Sequence, residues 1–244
     1  MPRFFIDSPC EPGGLVTVAG EDARHIAKSL RMREGEPLDL CDGLGTDYHC
    51  EIDSLSPDAV TVRVLSEEPT RTEPHTFVTL IQSLPKADKM DFVMQKAVEM
   101  GASRMVPMLS ARCISRPDAK AAAKKAERWQ KIAVEAAKQC GRGILPQVAP
   151  VTEFRRAVED AARDGEVILF YEGGGAPLTE LVSEKTERLS ILIGPEGGFA
   201  PEEVELAKSL GAKTATLGPR ILRTETAPVA ALAAIMLLTG NLAD

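Results

Sequence analysis

Aromatic residues, long apolar runs and closely spaced cysteines are all scarce in this chain. Tryptophan, tyrosine and phenylalanine make up 4% of its 244 residues, so its cores must be built from aliphatic side chains. The longest apolar stretch, Val229–Leu238, is too short to span a bilayer, which needs about 20 residues. None of the five cysteines forms a Cys-x-x-Cys pair, and Cys41, His49 and Cys50 match no zinc spacing. We therefore expect no membrane partner and no bound metal.

The distribution of the cysteines and the first ten residues both bear on location. An odd number of cysteines, scattered along the chain, is typical of reduced thiols in a cytosolic protein. Residues 1–10 contain no apolar segment of the kind that a secretory signal carries. These features predict a cytoplasmic protein.

Positive charge is scarce overall but concentrated in one segment. The formal net charge is −7, whereas residues 103–142 hold ten basic and three acidic residues. Binding to phosphate groups depends on a local basic surface rather than on total charge. A solvated helix face balanced by acidic neighbours would show the same pattern. Charge alone therefore leaves a nucleic-acid partner open.

The pattern of apolar residues changes near residue 70. Residues 1–70 contain short strand patterns separated by glycine-rich turns, with one short helix at Glu21–Leu30, which favours a small β-barrel. Glu68–Pro74 is polar, contains two prolines and is typical of a linker. From Phe77 onward strands and helices alternate, which predicts a mostly parallel sheet with helices on both faces.

The last predicted helix, Thr226–Leu238, has no polar face. A helix that is apolar all round must be buried on all sides. The C-terminal helix of a modest domain is more easily buried in this way at a subunit interface. The sequence therefore predicts a homodimer.

Two glycine-bearing turns follow successive strands near the C-terminus. They are Gly194–Gly198 and the segment that starts at Gly218. Such turns let the backbone approach a ligand and offer free N–H groups to it. Neither matches a dinucleotide fingerprint or a P-loop. The simpler alternative is two tight turns that each begin a helix, and spacing alone does not decide between them.

At these turns the chain resembles a known family. Ile193–Phe199 (IGPEGGF) and Leu217–Ala227 (LGPRILRTETA) are similar to segments of the SPOUT methyltransferases, specifically the RsmE type. Further similar segments follow in the same order. They are Arg24-His25 with Leu30-Arg31, Asp88–Lys96 with Glu99–Gly101, Pro107 with Ser110–Cys113, Arg128-Trp129 through Arg142, and Tyr171-Glu172.

The resemblance implies an enzyme that methylates N3 of one uridine in 16S ribosomal RNA of the small ribosomal subunit, using S-adenosyl-L-methionine. It implies an α/β fold: a PUA-like RNA-binding β-barrel in residues 1–70, and in residues 74–244 a SPOUT-type parallel sheet with a C-terminal deep trefoil knot. The cofactor-binding residues that it implies are Tyr171, Glu172, Ile193, Gly194, Pro195, Glu196, Gly197, Gly198, Leu217, Gly218, Ile221, Leu222, Arg223, Thr224, Thr226 and Ala227.

The chemistry of this reaction assigns provisional roles to a few side chains. Uracil N3 carries a proton at neutral pH, so its methylation needs a base and a cation that stabilises the anion. Arg223 is the expected cation and Glu225 the candidate base, with Glu196 as a second candidate. Glu225 has a simpler alternative role as an acid at a helix N-terminus.

Basic side chains elsewhere are the candidate RNA contacts. They are Arg24, His25, Arg31, Arg112, Lys138 and Arg142, and for each the alternative is an ordinary surface residue. Trp129 suits base stacking or a core position, and its helix pattern favours the core. Two other functions stay open: ribose 2′-O methylation of tRNA or rRNA, and RNA binding without catalysis.

Overall fold

A computed structural model describes residues 3–56 and 58–242 of the chain. These residues divide into two compact units. The first combines the described residues up to Glu73 with Ala137–Leu145, and the second combines Pro74–Ala136 with the described residues from Pro146 onward. The sequence Ser56-Pro57-Asp58 predicts a turn between two strands, and its Pro57 lies outside the described residues.

The first unit is built on a five-stranded sheet. The elements are β1 (Arg3–Phe5), β2 (Leu15–Ala19), α1 (Gly20–Arg24, continued by a π-helical turn at His25–Ser29), β3 (Pro37–Cys41), β4 (Thr46–Leu55) and β5 (Ala59–Pro69). The strand order is β1-β3-β4-β5-β2; β1 and β3 are parallel and the other neighbours are antiparallel. Among the described residues the outer strands β1 and β2 do not pair, so barrel closure is not seen in the strand pairing.

Apolar side chains at alternate positions of these strands form one mostly aliphatic core. In β5, Val60, Val62 and Val64 are each at most 1% exposed, because every second side chain of a strand points to the same face. They pack in one cluster with alternate residues of β3 and β4 and with Ile26. The sequence pattern of residues 1–70 predicts this organisation, apart from β1.

The second unit contains a seven-stranded sheet in which all pairings are parallel. The order is β12-β10-β11-β6-β7-β8, with β9 also beside β7. Its elements are β6 (Phe77–Ser83), α2 (Lys89–Glu99), β7 (Arg104–Leu109), α3 (Ala119–Cys140, whose last turn belongs to the first unit), β8 (Gln147–Val148), β9 (Thr152–Glu153), α4 (Phe154–Asp164), β10 (Glu166–Phe170), α5 (Leu178–Leu181), β11 (Arg188–Ile193), α6 (Pro201–Ser209), β12 (Lys213–Ala215) and α7 (Ala227–Leu238).

Both faces of this sheet are covered. On one face Ile81, Leu192 and Leu169 pack with residues of α4 and α6 in one apolar cluster. Their chain neighbours Leu80 and Ile191 point to the opposite face and are also 0% exposed. The parallel, two-sided sheet predicted from the alternation of elements is therefore confirmed.

Helix α7 is buried on one side only. It packs against α2, and Ala231, Leu232 and Ile235 are fully buried. Leu237 on the other side is 66% exposed. The chain alone therefore leaves part of this apolar helix uncovered, and the homodimer stays a prediction. Among residues 3–56 and 58–242, no helix is long and apolar enough to cross a membrane.

Candidate functional site

A cavity of about 930 Å³ opens at the carboxyl ends of β10, β11 and β12. This edge is where parallel α/β sheets bind ligands, and β10 lies between two strands that follow it in the chain. Three segments line most of the cavity: Phe170–Glu172, the first loop (residues 193–199) and the second loop (residues 216–224). Of the expected cofactor-binding residues, all but Thr226 line it.

Glycine shapes the first loop. Gly198 has φ of +66° and donates its N–H to the carbonyl of Pro195 at 2.9 Å, which closes a tight turn. A Cβ at Gly198 would overlap the carboxylate of Glu172. A Cβ at Gly194 would lie 3.2 Å from the backbone of Gly198. The loop is therefore packed at the backbone level and presents main-chain groups to the cavity.

The second loop leaves β12 and returns across the end of β10 to the end of β11. The Thr224 hydroxyl donates to the Gly194 carbonyl at 2.8 Å, and the Gln82 Nε2 donates to Thr224 Oγ1 at 3.2 Å. Gln82 is 1% exposed and ends β6 beside β11. The two loops are thus joined by a buried polar contact. Sequence reasoning missed Gln82, because a polar residue inside an apolar strand gives no motif signal.

The Thr224–Thr226 segment does not cap α7 as its composition suggests. Thr226 occupies the N-cap position, but its side chain makes no capping hydrogen bond. The Thr224 hydroxyl is used by Gly194 instead. Thr226 therefore shapes the turn through its backbone, donating to the Arg223 carbonyl at 2.9 Å, and does not line the cavity.

One lysine joins the acidic side chains of both loops. Lys89 Nζ lies 3.3 Å from Glu196 Oε1 and 3.1 Å from Glu225 Oε2. These carboxylates, Glu225 first, raise the pKa of Lys89. Burial raises the pKa of each carboxyl, but backbone N–H donors and Lys89 outweigh it, so both pKa values are lowered. Both acids are therefore ionised and are weak proton acceptors at neutral pH.

Arg223 is one of two exposed arginines that line this cavity, the other being Arg220. Among the described residues the Arg223 guanidinium has no hydrogen bond or ion pair, and it contributes to the lowered pKa of Glu225 through its charge. Glu225 lies behind the lining and not in it. The structure thus brings the candidate cation to the cavity, while the candidate base is turned to Lys89.

The six candidate RNA contacts occupy different settings. In the first unit, Arg24 pairs with Asp58 on the surface, and exposed His25 lies edge-on to Phe4. Arg31 is exposed, with φ of +55°. Lys138, which also belongs to the first unit, pairs with Asp22 at 3.1 Å.

Two of these arginines have structural partners. Arg112, in the second unit, donates to the Gly197 carbonyl at 2.7 Å and so braces the first loop. Arg142 is 4% exposed and pairs with Glu73. Because so little of Arg142 reaches the surface, we remove it from the proposed RNA contacts. Trp129 is 3% exposed and donates its indole N–H to Asp91, which confirms the predicted core position.

His, Cys, Asp and Glu side chains are the usual ligands of a metal ion in proteins. Within the part of the chain that the structure describes, no group of three or more His, Cys, Asp or Glu side chains is arranged to hold a metal ion. The Cys41 thiol instead donates to the Gly143 carbonyl inside the first unit. The polar groups that line the cavity include backbone groups of both loops and the side chains of Lys89, Arg220 and Arg223.

Comparison with known proteins agrees with this arrangement. Residues 72–236 match the model of an RNA methyltransferase domain, and residues 18–65 match that of an RNA methyltransferase PUA domain. The ribosomal RNA small subunit methyltransferase E of Bacillus subtilis is 37% identical, with 96% of each chain covered. The protein of the same name from Mycobacterium bovis is 31% identical, with 98% of this chain and 92% of that protein covered.

Solved structures show the same overall similarity. A ribosomal RNA small subunit methyltransferase E from Neisseria gonorrhoeae, bound to S-adenosyl methionine, superimposes with a TM-score of 0.89 at 35% identity over 98% of each chain. A putative methyltransferase from Legionella pneumophila, in complex with the same cofactor, gives 0.86 at 30% identity over 97% of each chain. Sequence, fold and the paired backbone loops agree, and this chain belongs to the ribosomal RNA small subunit methyltransferase E family.

Proposed function

We propose that this protein transfers a methyl group from S-adenosyl-L-methionine to N3 of one uridine in the 16S RNA of the small ribosomal subunit. The observation that carries the proposal is the backbone-lined cavity between two joined loops, in a chain of this family. Two methyltransferases whose structures cover 97% and 98% of this chain were solved with the cofactor bound.

The cavity fits the cofactor in size and in chemistry. About 930 Å³ lies within the range of sites for drug-sized ligands, roughly 300–1,000 Å³. The adenine, ribose and amino-acid groups of the cofactor need hydrogen-bond partners, which the N–H and C=O groups of the two loops supply. The cofactor carries no phosphate, so the acidic Glu172 and Glu196 in the lining do not oppose it. When bound, it supplies a methyl group that is already strongly electrophilic.

The chain's own residues orient the reactants and handle charge. The proton on uracil N3 leaves as the new N–CH₃ bond forms, so negative charge develops on the uracil ring. Arg223, exposed in the cavity, stabilises that charge. Lowered pKa values keep Glu196 and Glu225 ionised and make both weak bases. Glu225 remains our first candidate for the proton acceptor, although it lies behind the lining and pairs with Lys89, and Glu196, which lines the cavity, is the second. Orientation of the two reactants supplies about 7–11 kcal/mol in favourable cases.

RNA recognition divides between the two units in this proposal. Residues 1–70 form the RNA-binding domain and residues 74–244 the methyltransferase domain. Arg24, His25, Arg31 and Lys138 contact the RNA from the first unit, while Arg112 stands beside the cavity. The target uridine is unpaired or flipped out, because its N3 lies on the Watson–Crick edge.

We further propose a knotted C-terminus, a homodimer and a cytoplasmic location. The second loop crosses back over β10 before α7 begins, which supports the knot. The uncovered side of α7, where Leu237 is 66% exposed, supports burial against a second copy. The five cysteines are free, which supports the location.

The test is methylation of RNA by the purified protein. Small subunits from cells lacking this protein, and free 16S RNA, are incubated with the labelled cofactor, and the nucleosides are resolved by mass spectrometry. We expect N3-methyluridine at one position. A 2′-O-methylated nucleoside, or cofactor binding without any product, would overturn the proposed reaction.

The Arg223→Ala variant tests the role of the cation. Loss of one charge-stabilising donor costs about 10²–10³-fold in turnover, and we expect such a fall with a change in cofactor affinity of less than about threefold. Arg155→Ala, which removes an exposed arginine on α4, is the control and should retain wild-type turnover. Equal losses of turnover and cofactor affinity in Arg223→Ala would refute the assignment.

A further inference from the structure

Lys89 lies between the two loops and has no role yet in the proposed reaction. It is the first residue of α2, and its side chain reaches the cavity wall. Its ammonium lies 3.3 Å from the carboxylate of Glu196 and 3.1 Å from that of Glu225. Glu196 belongs to the first loop and Glu225 follows the second, so one cation joins two segments about 30 residues apart.

The turn that contains Glu225 also fixes Arg223. The N–H groups of Thr226 and Ala227 both donate to the Arg223 carbonyl at 2.9 Å. A side chain that holds Glu225 therefore also holds the backbone of Arg223. The part of the second loop that precedes this turn packs little against the rest of the protein, since residues 218–221 are exposed and Ile221 is 89% exposed.

Removal of the ammonium would leave two carboxylates facing each other. Glu225 Oε2 is buried from solvent, so water does not screen it well. The charged groups that act on Glu225 are Lys89 and Arg223, and Lys89 is the one that acts on Glu196. Without Lys89, we expect the two acids to repel each other and the second loop to shift away from the first.

We propose that Lys89 is a positioning residue that ties the second loop to the first through Glu225 and Glu196 and thereby places Arg223 for methyl transfer. This inference rests on the proposed function. Lys89 acts on the reaction through Arg223, and the buried contact of Gln82 and Thr224 with Gly194 holds the deeper part of the same two loops.

The chain offers a closely matched control on the same helix. Lys96 is also 32% exposed and pairs with Glu99, which is 21% exposed, whereas Glu225 is 20% exposed. The Lys96 pair lies away from the cavity lining. Lys89→Met and Lys96→Met therefore each remove a similarly exposed, ion-paired lysine from one helix, and only Lys89 joins the two loops.

The experiment compares Lys89→Met, Lys89→Arg and Lys96→Met in the full-length protein. For Lys89→Met we expect turnover to fall about 10–100-fold, the range for a misplaced reacting group, and the calorimetric dissociation constant of the cofactor to rise about threefold or more. Lys89→Arg should keep most of the wild-type turnover and cofactor affinity, because it keeps the charge. Lys96→Met should stay within about twofold of wild type in both.

A double variant separates positioning from a general loss of structure. If Lys89 acts through Arg223, the Lys89→Met and Arg223→Ala double variant should be no slower than Arg223→Ala alone. When turnover is plotted against pH, the acidic limb for Lys89→Met should also lie at higher pH than that of wild type, because Glu225 loses a partner that lowers its pKa.

Two results would overturn the inference. One is a Lys89→Met variant that matches Lys96→Met in turnover and cofactor affinity, and the other is full additivity of the Lys89 and Arg223 effects. Absence of methylation by the wild-type protein would instead refute the proposed function, while cofactor calorimetry on the same variants would still report whether Lys89 joins the loops.

Discussion

The buried pair of Glu73 and Arg142 should be the most sensitive ionic contact of the first unit. The two side chains are 14% and 5% exposed, with 2.7 Å between Glu73 Oε2 and Arg142 Nη2. Glu73 Oε1 also accepts the N–H groups of Gly143 at 2.7 Å and Ile144 at 3.0 Å. One carboxylate therefore serves a buried cation and two backbone donors.

Replacing Glu73 by alanine leaves all three donors without this acceptor. Loss of one partner of a buried ion pair costs about 3–5 kcal/mol, because the other charge stays buried. At about 2–4 °C per kcal/mol for a chain of this size, the unfolding temperature should fall by at least about 6 °C. Glu73→Gln keeps an oxygen acceptor and loses the charge, so we expect a smaller loss of about 1.5–3 kcal/mol.

Thermal unfolding followed by circular dichroism measures these changes. Asp53→Ala is the control, because Asp53 pairs with Arg63 at 2.6 Å on the surface, where such pairs contribute about 0–1 kcal/mol. If Glu73→Ala unfolds at the same temperature as Asp53→Ala, the reasoning about the buried pair is wrong.

Two further predictions concern a turn and a titrating side chain. Gly198→Ala should weaken cofactor binding, because φ of +66° disfavours a Cβ by about 1–2 kcal/mol and the Cβ would displace Glu172. Gly211→Ala places a Cβ at φ of +94° outside the cavity lining, so it should bind the cofactor normally, and equal affinities of the two variants would contradict this. The hydrogen bond with Asp39 at 2.8 Å raises the pKa of His49, so its stabilisation is complete below the unfolded pKa of about 6.5 and is lost as pH rises through the folded value. The unfolding temperature of wild type should therefore exceed that of His49→Gln by more at about pH 6 than at about pH 8, and a pH-independent difference would refute it.

Local patterns predicted most of the elements of the fold. Sequence patterns predict a strand at Arg104–Leu109, and β7 has these bounds. They also predict helices at Asp88–Met100 and Ala119–Gln139; α2 is shorter by one residue at each end, and α3 is longer by one residue. Helix α4 was missed, although Phe154, Ala157, Val158 and Ala161 are spaced as on one buried helix face. Strand β1 has only three residues and is defined by its pairing with β3, which no local pattern reveals.

The features of the site that could not be predicted from sequence are contacts between residues far apart in the chain. The motifs predicted which residues line the cavity, since backbone loops depend on glycine at fixed positions. They did not predict that Lys89 pairs with Glu225, or that Arg142 is buried against Glu73, because charge type does not specify a partner. The roles of Arg223, Glu225 and the surface cations stay predictions.

The return of residues 137–145 to the first unit has a consequence for how that unit is made. Gly143 packs so closely that a Cβ there would overlap Thr70, and Leu44 forms a β-bridge with Ile144. During synthesis the N-terminal sheet emerges from the ribosome long before these partners do. The first unit therefore cannot reach its final packing until much of the second has been translated. A chimera that exchanges only residues 1–73 would separate two segments of one compact unit, so recombination must carry both segments together.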